Sequence, residues 1–126
     1  MAKRPARWSI PVAVSVVAGI ALLGCGALAE PLCVDGRPAK RSVDVTYAQL
    51  PPRHGYVRDH RVPLGLGGAD TADNVQYQPR DEARLKDRLE WYAIESYCAG
   101  TMDLTHARTL FIDWRASYKQ VFGVAP

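Results

Sequence analysis

The chain has 126 residues, with 16 Lys and Arg against 13 Asp and Glu and a formal net charge of +3. This length accommodates one domain beyond any leader segment. The surplus cations, Lys3, Arg4 and Arg7, all precede residue 30, so residues 30–126 carry 13 cationic and 13 anionic side chains. The net charge therefore does not indicate a nucleic-acid-binding protein, and any attraction to phosphate must come from local clusters of cations.

Residues 1–29 are predicted to form an export signal. A basic start precedes an apolar run from Ile10 to Leu23, which is shorter than the roughly 20 residues that span a bilayer. Ala27–Ala29 then offers the small residues that a signal peptidase reads. An overlapping alternative is a lipoprotein signal, since Leu22–Cys25 resembles a lipobox in which Cys25 would carry lipid. We therefore expect an exported protein, periplasmic or extracellular, or one anchored to lipid through Cys25.

Two cysteines follow the leader, Cys33 and Cys98. Because an exported chain enters an oxidising compartment and the count is even, we expect one disulfide between them. It would close a loop of about 65 residues and stabilise the fold by about 4 kcal/mol. A domain this small has a modest core, so such a cross-link would matter to its stability.

Residues 30–54 are expected to form an extended lead-in with short secondary structure, in which "VDVTYAQLP" is a short helix or strand. Residues 55–126 are expected to form the folded domain. It starts with "GYVRDHRVPL", whose β-branched and aromatic residues favour a strand, and Pro63 either confines this strand to a sheet edge or ends its pairing. A short second strand or an extended arm is expected in "NVQYQ". Three glycines between the strands are expected to supply turn conformations with positive φ: Gly65, Gly67 and Gly68.

The rest of the domain is predicted to be helical. Asp81-Glu82 mark the first turn of a helix, where anions are favourable, and Gly100 suits the position after its end. A second helix is expected to begin near Asp103 or Leu104. Its apolar side chains recur at helical spacing and are interpreted as core: Ala107, Leu110, Phe111, Trp114, Tyr118 and Val121. The predicted order is a strand hairpin followed by helices, an α+β domain.

Asp59 and His60 are adjacent titratable residues inside the first predicted strand. A neutral imidazole can take a proton from water near pH 7, and a carboxylate can hold a hard divalent cation that neutralises charge on a phosphoryl group. Asn74 lies fourteen residues after His60 and offers an amide oxygen that the Gly-rich turn could bring back. Taken singly, each residue has an ordinary alternative: a hydrogen-bonded His, an Asp paired with Arg58 or Arg61, and an Asn in a turn.

The stretch "YVRDHRVPLGLGGADTADNVQYQP", followed by "ARLKDRLE", resembles the HNH, or His-Me finger (ββα-metal), endonucleases. It is most similar to small exported bacterial HNH-type proteins, whose pattern reads D-H-x-x-P-L-x-L-G-G, an Asn, a Pro-bearing turn and A-x-x-K-D-x-L-E. The resemblance covers roughly residues 55–119. The matching residues are Asp59, His60, Pro63, Leu64, Leu66, Gly67, Gly68, Asn74, Pro79, Ala83, Lys86, Asp87, Leu89 and Glu90.

The resemblance implies a ββα-metal hairpin-plus-helix core with one additional C-terminal helix. It also implies that His60 is the general base and that Asp59 ligates a divalent metal, Mg²⁺ or Mn²⁺. Asn74 would be a second ligand or would orient the loop beside His60. Many family members carry a helix His where this chain has Glu82 and Ala83. That departure favours an oxygen-ligand site over a zinc site. Glu82 is then either a ligand or an anion at a helix N-terminus.

Lys86 on the predicted helix has two interpretations. It could contact a substrate phosphate as a point charge, or it could form an ion pair with Glu90 or Glu82. Asp87 and Glu90 are expected to tie the helix to the hairpin. Six arginines surround the motif and indicate a phosphate-binding face, the alternative being solvated surface charge: Arg53, Arg58, Arg61, Arg80, Arg84 and Arg88.

These features together predict a monomeric metal-dependent endonuclease of low sequence specificity that acts on nucleic acid, DNA in preference to RNA. His60, Asn74 and Lys86 are the predicted catalytic residues, and Asp59 and Asn74 the predicted metal ligands. No small-molecule cofactor is expected. One alternative is an exported envelope or binding domain that keeps the scaffold without catalysis. Another is an enzyme that acts on RNA, or a toxin delivered to competitors.

Overall fold

The computed structural model describes residues 31–40 and 44–126, so the predicted leader and Cys25 lie outside the described residues. In that part of the chain the fold is mixed α+β, with two small antiparallel sheets and three helices. The α+β prediction is therefore confirmed. No helix within the described residues is long and apolar enough to cross a membrane.

The lead-in contains a short hairpin and a tight turn. Strands β1 (Cys33–Val34) and β2 (Arg37–Pro38) pair with each other. The turn at Tyr47–Gln49 is where a short helix or strand was expected. All three of its residues adopt left-handed φ angles, between 52° and 63°. Non-glycine residues in this region cost about 1–2 kcal/mol each, so other contacts must hold the turn in place.

The central unit is a second hairpin followed directly by a long helix. Strand β3 (Tyr56–His60) pairs antiparallel with β4 (Val75–Pro79), so that His60, at the end of its strand, lies opposite Val75. Helix α1 (Arg80–Cys98) begins at the next residue. Both strands and the helix were predicted near these positions. Because no loop separates β4 from α1, the first turns of the helix lie close to the hairpin.

The loop between β3 and β4 uses its glycines differently from the prediction. Only Gly67 has a positive φ, of 83°, so the predicted positive φ is wrong for Gly65 and Gly68. Close packing against the backbone requires Gly68 instead, whereas Gly65 faces the end of a flexible side chain. A Cβ at Gly68 would lie 1.9 Å from the Val62 carbonyl oxygen, and one at Gly65 would lie 2.4 Å from Cδ1 of Ile94.

The C-terminal region forms two helices where one was predicted. Helix α2 (Leu104–Thr109) and helix α3 (Trp114–Phe122) are separated by a turn whose amides bond three residues back along the chain. Asp113 accounts for the break, because its carboxylate accepts from the backbone N–H of Ala116 and so starts a new helix. Asp103 starts α2 in the same way. The expected single additional helix is therefore corrected to a pair.

The predicted apolar stripe forms the core despite the break. Its members pack against one face of α1 and against Leu66 of the loop, and Val121 is partly buried at the edge. The core residues are Leu66, Leu89, Ala93, Ala107, Leu110, Phe111, Trp114 and Tyr118. The core therefore lies between the three helices and the loop that follows β3.

The predicted disulfide is present between Cys33 and Cys98, with 5.5 Å between their Cα atoms. It joins β1 of the lead-in to the last residue of α1, across a sequence separation of 65. This cross-link is compatible with an oxidising, exported location.

Candidate functional site

A cleft of about 460 Å³ lies between the end of β3, the loop that follows it and the first three turns of α1. The adjacent Asp59 and His60 both line this cleft. They share it with acidic, basic and aromatic side chains: Tyr47, Arg58, Arg80, Arg84, Asp87 and Glu90. The cleft thus combines a candidate base, carboxylates and cations in one place.

His60 is nearly buried, and two neighbours fix its ring. Its Nε2 lies 2.8 Å from Oδ1 of Asp70, and its ring stacks on Tyr47 with 5.2 Å between the centroids. The other oxygen of Asp70 accepts from the backbone N–H and hydroxyl of Thr46, at 2.7 and 2.8 Å, and from the N–H of Tyr47 at 3.1 Å. The hydrogen bond to His60 is the largest cause that lowers the pKa of Asp70 to about 2, and those to Thr46 add to it.

Lys86 is enclosed beneath the cleft, with 1 % of its side chain exposed. Its Nζ lies 2.9 Å from Oδ2 of Asp59 and 2.6 Å from Oε1 of Glu90, and it donates to the His60 carbonyl oxygen at 2.8 Å. Of the two interpretations of Lys86, the structure shows the ion pair with Glu90. Its ammonium group points into the protein and ties α1 to the end of β3.

Three carboxylates meet at the cleft. Asp59, Asp87 and Glu90 each place an oxygen within 4.8 Å of the other two. Burial raises the pKa of Glu90 to about 7, a rise that Lys86 opposes and that the charges of Asp59 and Asp87 increase. Burial also raises the pKa of Asp87, as does the charge of Asp59. A hard divalent cation suits such oxygen ligands and would relieve the repulsion among them.

Asn74 closes the loop after β3 and does not line the cleft. Its Nδ2 donates to the carbonyl oxygens of Val62 and Ala69, at 2.9 and 2.8 Å, and its Oδ1 accepts from the N–H of Val62 at 2.9 Å. Both amide atoms are therefore engaged by the backbone. Of the two roles considered for Asn74, this is the one that orients the loop beside His60.

Glu82 lies away from the carboxylates. It accepts from Gln78 at 3.0 Å and forms an ion pair with Arg115 of α3. It also lies in the first turn of α1, as an anion at a helix N-terminus does. The structure therefore does not bring Glu82 to the candidate metal ligands.

Three of the six arginines near the motif line the cleft. Arg58 donates to the Leu50 carbonyl oxygen and stands over the Tyr47 ring. Arg80 and Arg84 are exposed, one turn apart on α1, and neither forms an ion pair with a described residue. Arg53 stands over Tyr56 and lines a neighbouring pocket that Arg58 and Arg80 also line. The other two lie away from the cleft, with Arg61 beside Asn74 and Arg88 over Phe122.

Sequence reasoning missed the residues that hold His60. Asp70 lies in "GGADTADN", where an acidic residue is ordinary turn chemistry, and Thr46 and Tyr47 lie in the lead-in. No spacing rule connects these positions to the Asp-His pair, and only the fold brings them together.

Comparisons of the chain with family models, with curated proteins and with solved structures gave no match. The function is therefore argued from the cleft itself.

Proposed function

We propose that the protein is a metal-dependent endonuclease of the HNH, ββα-metal kind that hydrolyses phosphodiester bonds in nucleic acid. The observation that carries the proposal is one cleft in which His60, three carboxylates and two arginines meet, and these arginines form no ion pair with a described residue. The order β3, β4, α1 also supports it, because a hairpin followed by a helix is the arrangement that the name ββα-metal describes.

In this proposal His60 takes the proton from the attacking water. General-base catalysis by a positioned imidazole contributes about 10²–10⁴-fold to a rate. Arg80 and Arg84 bind the phosphates that flank the scissile bond, since both side chains are exposed at the cleft and neither pairs with a carboxylate of the described residues. Their contact is with the phosphate backbone, which supports low sequence specificity.

The residues that would hold a metal are Asp59, Asp87 and Glu90. When bound, a divalent cation such as Mg²⁺ or Mn²⁺ would neutralise the charge that develops on the phosphoryl and departing oxygens. This set replaces the pair Asp59 and Asn74 proposed from the sequence, because the backbone already engages the Asn74 amide. Lys86 carries the compensating charge of Asp59 and Glu90 in the absence of a metal.

A second function, an exported nucleic-acid-binding domain without catalysis, is supported by Lys86. Its ammonium group already contacts two of the three carboxylates, which is an arrangement that a metal-free scaffold could keep. For both functions the disulfide supports export, to the periplasm or beyond the cell.

Cleavage assays separate the two functions. The oxidised protein would be incubated with plasmid DNA and with RNA, in Mg²⁺, Mn²⁺ or EDTA. We expect cleavage that EDTA abolishes and that His60→Ala or His60→Gln lowers by at least about 100-fold. His106→Ala is the matched control, because His106 is exposed on α2, and it should cleave like the wild type.

The contrary outcomes are distinct. If the His60 variants cleave as well as the wild type does, the nuclease proposal fails. A wild type that binds DNA without cleaving it, and loses that binding in Arg80→Ala/Arg84→Ala, would instead establish the binding domain.

A further inference from the structure

We propose that Asp70 is the positioning residue for the base: it fixes the imidazole of His60 as the Nε2–H tautomer, so that Nδ1 is the nitrogen presented to the cleft. The inference rests on the proposed function for the reaction that the base serves. The contact itself, Nε2 to Oδ1 of Asp70 at 2.8 Å, is independent of that function.

The chemistry of the pair assigns the proton. An ionised carboxylate only accepts hydrogen bonds, so the nitrogen that contacts it must carry the hydrogen. In a neutral imidazole the other nitrogen, Nδ1, then has the free lone pair. Among the described residues, Nδ1 of His60 has no hydrogen-bond partner. Every buried side-chain nitrogen or oxygen of these residues does have a partner, so Nδ1 cannot be a buried atom. Nδ1 is therefore open to solvent, at a residue that lines the cleft.

The lead-in prevents Asp70 from turning away. Three donors, two of them backbone N–H groups, converge on its Oδ2. This leaves Oδ1 facing His60, and Tyr47 stacks on the imidazole ring from the same segment. The ring position and the proton position are thus both set by residues 46, 47 and 70.

This arrangement makes an unusual prediction for Asp70→Asn. The donors from Thr46 and Tyr47 require an oxygen where Oδ2 now lies, so the Asn would place its oxygen there and turn its NH₂ group toward His60. Nε2 would then have to accept, and the proton would move to Nδ1. An isosteric variant that keeps the anchor to the lead-in would therefore invert the tautomer and remove the base from the cleft.

The test combines tautomer measurement with cleavage. Long-range ¹H–¹⁵N spectra of the oxidised protein, at a pH where imidazole is neutral, distinguish protonated from unprotonated ring nitrogens, and His60→Gln assigns the signals. We expect Nε2–H in the wild type and Nδ1–H in Asp70→Asn. Cleavage should fall about 10²–10⁴-fold in Asp70→Asn and less in Asp70→Ala, whose imidazole can still choose its tautomer. Asp73→Asn, in the same loop but bonded to Thr71, should match the wild type in both measurements.

A merely structural role for Asp70 predicts the opposite order. Asp70→Ala loses every hydrogen bond to the lead-in and would then be the less active variant, whereas Asp70→Asn keeps those to Thr46 and Tyr47. That order, or an unchanged Nε2–H tautomer in Asp70→Asn, would overturn the proposal. A wild type without cleavage activity would overturn the proposed function, and the spectra would still decide whether Asp70 selects the nitrogen that faces the cleft.

Discussion

Lys86 is buried in the structure, whereas its place in the sequence indicated an exposed side chain. A lysine on a helix with Glu90 one turn later is normally an exposed ion pair of small energetic weight. Here the ammonium group is buried and contacts Asp59 and the His60 carbonyl oxygen as well as Glu90. It therefore acts as a structural cation that joins α1 to the end of β3.

Removing that cation should destabilise the protein strongly. Lys86→Met keeps most of the volume of the side chain but leaves Asp59 and Glu90 without their counter-charge. Breaking a buried pair in this way costs about 3–5 kcal/mol of the free energy of unfolding, which urea denaturation would measure. Lys119→Met, at an exposed position on α3, is the matched control and should change that free energy by less than about 0.5 kcal/mol. Equal losses in the two variants would contradict the structural role of Lys86.

Among the elements, the loop after β3 is a turn that the sequence predicted correctly but partly for the wrong reason. The glycine cluster indicated a turn, and a turn is present. Of the three glycines, however, only Gly67 has the expected backbone conformation, and Gly68 is required because the chain crosses over the carbonyl group of Val62. A close approach between residues depends on the path of the whole loop, so it leaves no local signature.

Substitution of Gly68 should therefore be more damaging than substitution of a glycine in open space. In Gly68→Ala the new Cβ would meet the Val62 oxygen at 1.9 Å and the Asn74 amide at 3.0 Å, so the loop must shift. Gly100→Ala is the comparison, since Gly100 has a positive φ but no heavy atom within 4 Å of the added Cβ, and it should cost about 1–2 kcal/mol. Urea denaturation should show a clearly larger loss for Gly68→Ala. A smaller loss would mean that the loop is not closely packed there.

The break between α2 and α3 has a similar origin. The spacing of apolar residues from Ala107 to Val121 is continuous, and periodicity alone cannot show that Asp113 faces the amide of Ala116 rather than solvent. The stripe therefore predicted the core correctly and the number of helices wrongly. Burial is encoded by the pattern, whereas the break depends on a single capping hydrogen bond.

At the scale of the whole molecule, the disulfide connects the start of the described lead-in to the C-terminal end of α1. Because a cross-link across 65 residues restricts the unfolded chain, we expect Cys33→Ser/Cys98→Ser to lower the free energy of unfolding by about 4 kcal/mol. Urea denaturation of the variant and of the oxidised wild type measures this difference. The intact wild type should gain the mass of two hydrogens on reduction. Two thiols that react freely without a reductant would show that the bond does not form.

Only those contacts of the site that join residues close together in the chain could be predicted from the sequence. Asp59 and His60 are neighbours in the chain, and Lys86 and Glu90 are one helical turn apart, so their proximity follows from strand and helix geometry. Asp70 contacts His60 across a loop, and Thr46 contacts Asp70 from the segment that was predicted to be an extended lead-in. These contacts depend on tertiary structure, which explains why His60 was predicted as a site residue and the residues that hold it were not.

The left-handed turn at Tyr47–Gln49 links the lead-in thermodynamically to the imidazole. The turn is unfavourable by itself because its residues have left-handed φ angles. One oxygen of Asp70 stabilises it by accepting from the N–H groups of Thr46 and Tyr47, while the other oxygen contacts His60. Coupling of this kind is reciprocal, because one carboxylate joins both partners. An interaction that stabilises the conformation of the lead-in therefore also stabilises the orientation of the His60 imidazole. A ligand that engaged the oriented imidazole would, to the same extent, protect the amides of the lead-in from hydrogen exchange.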